Sequence, residues 1–154
     1  MNNALPKQHK SANLVLVIYN FLEKIPEAIP AFFLRIGVAL IFFRSGLTKL
    51  QENSWQLSDQ TIFLFRDEYQ MPFPILSAYS AAIVELIAPL MLLLGVGSRI
   101  AATAMLAMTF VIQFFVYPEN YPDHLLWAGP LLYVILKGPG ALSLDYFVRK
   151  AASR

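Results

Sequence analysis

Four apolar stretches, Ile29 to Leu50, Ile75 to Gly95, Ile100 to Tyr117 and Tyr121 to Leu136, follow one another along the chain with little charge inside them. A helix needs roughly 20 residues to cross a ~30 Å hydrocarbon core. The first two stretches are long enough and the third is adequate, while the fourth has to borrow its aromatic and polar ends from the interface. Between the second and third, Gly95-Val96-Gly97-Ser98-Arg99 supplies a glycine stop, a serine N-cap and a cation, which predicts a helical hairpin. Tyr117-Pro118-Glu119-Asn120-Tyr121-Pro122-Asp123 is a turn, with two prolines that break helix and two tyrosines suited to headgroup level. Gly138-Pro139-Gly140 ends the fourth helix, and Ser143 can cap a short terminal helix whose first turn holds Asp145. The pattern predicts an all-α fold, a four-helix transmembrane bundle with amphipathic interfacial helices.

Two further segments carry a helical period without the length to cross. Leu14, Val15, Ile18, Phe21, Leu22 and Ile25 mark an amphipathic helix ahead of the first span. Thr61 to Arg66, in the long connection Gln51 to Pro74, predicts an interfacial helix that covers the bundle mouth. The expected organisation is a tail with its interfacial helix over residues 1–27, one membrane domain over 28–148, and a basic tail over 149–154. No internal repeat or second domain is visible.

Composition sharpens the class: 57% of the residues are hydrophobic and 14% charged, far from the balance of a water-soluble domain. The net charge of +2, with no basic patch interleaved with aromatics, gives no footprint for nucleic acid. With no cysteine the chain holds no disulfide, thiolate metal site or iron–sulfur cluster of its own. Lys7, Lys10, Lys24, Arg99, Lys137, Arg149, Lys150 and Arg154 fall on one side of the predicted spans, against Lys49 and Arg66 on the other. This asymmetry predicts both termini cytoplasmic and a multi-pass protein of the bacterial inner membrane.

The charges inside the spans are the candidate chemistry. Arg35 and Arg44 each cost about 2.5–3.5 kcal/mol near a helix centre, so they need partners or a route to the interface. Glu85, on a helix face with Ala78, Ala81, Ala82 and Ala88, is the expected partner of Arg35, while Arg44 snorkels. That pair is either a packing lock or a functional site. Thr109 and Gln113 form a polar stripe on the third helix, more often interhelical hydrogen bonding than a ligand site, and His124 near Trp127 is a candidate proton shuttle or ligand, or an interfacial side chain. Since His9 is the other histidine, no bis-histidine haem site can be built in the membrane; a metal would have to recruit weaker ligands such as Glu119, Asp123 or Met71, or another subunit, and no metal site is expected. The catalytic residues, if any, stay open.

Leu34-Arg35, Gly46-x-x-Lys49-Leu50, Glu85, Gly95-x-x-Ser98-Arg99 and Gly138-Pro139-Gly140-x-x-Ser143-Leu144-Asp145 occur in this order. In them the chain resembles the DoxX family of small four-helix bacterial membrane proteins, over about residues 28–148. Tyr117-Pro118 followed by His124-Leu125-x-Trp127-Ala128 resembles the branch found beside genes for copper-stress, ribosomally made peptides. Arg44 departs from the histidine or other bulky residue usual at its position. The resemblance implies chemistry near the quinone pool and protection against oxidative stress. On that footing Arg35, Lys49, Glu85, Arg99 and Asp145 match the family pattern and are candidates to serve it, the last two equally as a structural ion pair; with His124, the first three are the ligand-binding or proton-relay candidates. Two functions are expected to compete. One is a membrane subunit of a redox or stress-response system, with no intrinsic cofactor, that binds a quinone-like apolar ligand while a partner protein carries the redox centre. The other is a non-catalytic scaffold or small transporter supporting a peptide-maturation or stress-response partner.

Overall fold

The structure is a computed structural model that describes residues 8–153, with side chains from residue 13 onward. Lys7 and Arg154, and the side chains of His9 and Lys10, lie outside the described residues. The elements are α1 (Gln8–Leu22), α2 (Ala28–Thr48), α3 (Asp59–Phe63), α4 (Pro74–Leu94), α5 (Ser98–Val111), α6 (Tyr121–Lys137) and α7 (Leu144–Ala152). Three long helices, Ala28–Thr48, Pro74–Leu94 and Ser98–Val116, are long and apolar enough to cross a membrane. They form a closed ring with α6: α2 packs on α4, α4 on α5, α5 on α6 and α6 on α2. The all-α bundle expected from the hydrophobic pattern is therefore the observed architecture.

The bundle wears its apolar residues outside, as lipid requires of a membrane protein. Phe33, Leu40, Ile83, Ile87, Phe110 and Leu132 are exposed, whereas the inner seams are made of Ala39, Ala78, Ala82, Ala101 and Ala102. Small residues let the helices approach closely. A close approach is at Gly46, where a Cβ would sit 3.0 Å from the backbone carbon of Glu85, so α2 and α4 lie nearly backbone to backbone there.

One end of the bundle holds the α4–α5 turn and the start of α7; the other holds the long connection from α2 to α4. In that connection Leu50 and Leu57 form an isolated β-bridge, Ser58 caps α3 by accepting from Thr61 N at 3.2 Å, and α3 runs on as a π turn, Leu64–Glu68. Thr61 and Phe65 are buried, Phe65 packing with Leu57 and Ala78, so the segment covers the bundle as its period predicted. A second π turn, Ile112–Val116, extends α5. Beyond the bundle, α7 takes in residues 149–152 of the expected basic tail. The described side chains of α1 are exposed.

Candidate functional site

Arg35, Val38, Ala39, Phe42 and Gly46 form one buried stripe of α2, continued by the half-buried Lys49. This stripe carries two unlike polar sites, one at each end.

At the α4–α5 end, Arg35 is fully buried. Its Nη1 donates to the Leu92 carbonyl at 3.2 Å and its Nη2 to the Leu142 carbonyl at 2.5 Å. Leu92 is in the last turn of α4, where carbonyls lack intrahelical partners, so Arg35 serves as a side-chain cap of the neighbouring helix. The guanidinium also lies 5.7 Å from the Phe32 ring centroid, and Nε has no partner. Gly95 ends α4 with φ 71°, and a Cβ there would collide with Ser143 and stand 2.8 Å from Arg35 Nη1. Glycine is required here both for its backbone conformation and for the space.

The expected Arg35–Glu85 pair does not form. Arg35 is level with Leu92, seven residues along α4 from Glu85, which is about 10 Å of helix axis. The residue level with Glu85 is Gly46, and one turn past it Lys49 Nζ donates to Glu85 Oε2 at 2.5 Å. Lys49 Nζ also donates to Ser45 Oγ at 3.2 Å, and Ser45 Oγ donates to Glu85 Oε1 at 3.3 Å. Ser45, which the sequence reading did not single out, thus completes a three-residue cluster. Its signal was present as the i, i+4 relation of Ser45 and Lys49 beside a glycine. Arg44 is exposed on the outside of the bundle and takes no part.

The expected Arg99–Asp145 ion pair does not form either. Arg99 is exposed, its nearest acceptor being the Leu136 carbonyl at 3.5 Å. Asp145 instead accepts from Gly97 N and Ser98 N, both at 2.8 Å, and so caps α5 from another helix. The N-cap expected of Ser98 is supplied in this way, with Gly97 in the cap position. Partial burial would raise the Asp145 carboxyl, but the two backbone donors outweigh it and hold the group below its ordinary range.

The Lys49–Glu85–Ser45 cluster opens on a cavity of about 670 Å³, walled by all four bundle helices and by the α3 segment. Its apolar wall includes Phe42, Phe65, Met108 and Trp127, with Phe42 and Trp127 edge to face at 5.6 Å. The side chains of Lys49 and Glu85 are 16% and 4% exposed, so the pair is sheltered but the ammonium is reachable.

His124 joins the same wall, 3% exposed, with Nδ1 2.6 Å from Gln113 Oε1 and Nε2 buried without a partner. Gln113 Nε2 donates to the Pro118 carbonyl at 2.7 Å. Thr109 spends its hydroxyl on the Met105 carbonyl at 2.9 Å, an ordinary intrahelical bond. Tyr69 and Tyr117, each directly after a π turn, bring their hydroxyls to 2.8 Å, and Tyr117 donates to Glu68 Oε1 at 3.3 Å. Burial, followed by the bond to Tyr117, pushes the Tyr69 phenol above its ordinary value. Of the four candidates, the cavity therefore gathers Lys49, Glu85 and His124, and leaves Arg35 at the far end.

The DoxX family model matches residues 31–118, which takes in Arg35, Lys49, Glu85 and Arg99 and stops before His124 and Asp145. An uncharacterized protein of Haemophilus influenzae is 28% identical over 141 residues, covering 84% of this chain and 89% of its own. No solved structure matches.

Proposed function

The chain belongs to the DoxX family, and we propose that it is a membrane subunit of a redox or stress-response system that binds a quinone-like apolar ligand in the cavity between its helices. The observation that carries this reading is the Lys49–Glu85 pair on the wall of a cavity of about 670 Å³. An ammonium has three N–H donors, and two of those on Lys49 go to Glu85 and Ser45. The third is available to a ligand oxygen, with Phe42 and Trp127 as the aromatic wall for a flat ring. Glu85 is the sheltered group able to exchange a proton with that ligand. In this reading a partner protein supplies the redox centre.

The same reading places the protein in the bacterial inner membrane with four crossings and both termini cytoplasmic. Supporting this, Lys49 is turned inward to Glu85, which leaves Arg66 as the one exposed Lys or Arg of the long connection. The test is mass spectrometry and ultraviolet absorbance of organic extracts from the protein in native-lipid nanodiscs, beside a Glu85→Gln variant prepared identically. A stoichiometric quinone or its hydroquinone, present in the first and lost in the second, is the expected result. No small molecule in either would overturn it in favour of a scaffold in which the ion pair serves stability alone.

A further inference from the structure

Two places on the cavity wall have a hydrogen-bond polarity fixed by what lies behind them. The first is His124. The Pro118 carbonyl accepts only, so Gln113 must point its NH₂ group there and its oxygen at His124. That oxygen also accepts only, so His124 Nδ1 carries the hydrogen, and in the neutral ring Nε2 is left as a bare acceptor. It is buried and has no partner. The second place is Tyr69. Tyr117 gives its one hydroxyl hydrogen to Glu68, so it must accept from Tyr69, whose oxygen keeps only lone pairs.

We propose that the cavity takes a neutral ligand with a hydroxyl donor, of the phenol or hydroquinone class, in preference to the same skeleton without one. His124 Nε2 is the acceptor that reads the hydroxyl of a phenol, and Tyr69 Oη is a separate acceptor for the second hydroxyl of a hydroquinone. This deepens the reading of the cavity as a ligand site and rests on it. A hydroxyl also accepts, so a ligand of this class remains compatible with the free donor of Lys49. A ligand bearing only carbonyl or ether oxygens can answer Lys49 but leaves the histidine nitrogen buried and unpaired, which is unfavourable.

The experiment compares saturable binding of para-heptylphenol and para-heptylanisole, which differ by a methyl cap on the oxygen, to the full chain in nanodiscs, with protein-free nanodiscs as baseline. The expected result is a preference for the phenol of about tenfold or more, the worth of one unmade hydrogen bond to a buried group. The preference falls toward unity in His124→Phe, whose thermal unfolding is measured in parallel. Should that variant fail to fold, Gln113→Leu, which removes the oxygen that holds the hydrogen on His124 Nδ1, is expected to lower the preference several-fold. Equal saturable binding of the two compounds overturns the donor proposal and leaves the ligand site standing, as does a preference unchanged in both variants. No saturable binding of either compound overturns both.

Discussion

The two ends of α2 handle buried charge in opposite ways. At Arg35 a cation is sealed among backbone carbonyls at a glycine junction with no room for a Cβ on Gly95. At Lys49 a cation is matched to a carboxylate on the wall of a cavity, with a donor to spare. The first arrangement puts the charge to work in the fold, because Nη1 and Nη2 of Arg35 tie the end of α4 and the loop before α7 to α2. The second holds charge in reserve. An ionisable group inside a membrane bundle is thus not enough to mark a site; what matters is whether it faces a cavity that a ligand can enter.

Substitutions at the two ends separate these roles. Arg35→Met is expected to have the largest effect on stability, about 3 kcal/mol or more, since two bonds from a charged donor are lost and the Leu92 and Leu142 carbonyls are left unpaired. Denaturant titration in detergent micelles measures this, and a loss below about 1 kcal/mol would contradict the sealed-junction account. Glu85→Gln is expected to cost about 2 kcal/mol, less than a fully sealed pair, because Lys49 keeps access to the cavity. Replacing both members, Lys49→Met with Glu85→Leu, is expected to recover most of that stability while abolishing retention of the ligand. Recovery of the fold together with retained ligand would remove the pair from the binding site.

The smallest effect is expected at Asp145. Its alanine variant loses the cap of α5, worth about 1 kcal/mol on a partly exposed carboxylate. Because the folded carboxyl is held below its ordinary range, this stabilisation is present above about pH 4 and disappears as the pH falls through the lower folded value. Acid unfolding curves of the parent and of Asp145→Ala should therefore converge at low pH and separate above it.

The hydrophobic pattern determined the bundle because lipid leaves little choice: each run of apolar residues near 20 must be a helix, and the glycine and proline punctuation set the ends. Even the cover over the cavity was legible, through Thr61 and Phe65 on one face. Register between helices was not. Whether Arg35 or Lys49 meets Glu85 depends on how far α4 slides along α2, and that is set by the contact of Gly46 with Glu85, a point of close approach that periodicity does not measure. The Asp145 cap was hidden for a related reason, since its partners are backbone N–H groups 47 and 48 positions away and carry no side-chain signature. Gln113 and His124 were each noticed, but their pairing awaited the turn that folds α6 back onto α5.

The π turns have a consequence for how this chain tolerates changes in length. In each, the amide after the turn reaches back five residues, Tyr69 N to Leu64 O and Tyr117 N to Ile112 O, both at 2.8 Å. A π turn amounts to an α-helix with one residue inserted, and each residue advances a helix by about 100°. Deleting one residue from either segment would restore a regular helix and swing its tyrosine about a quarter turn away from the other. The two segments behave as matched insertions, so at this rim of the bundle the count of residues, as much as their identity, decides which side chains meet.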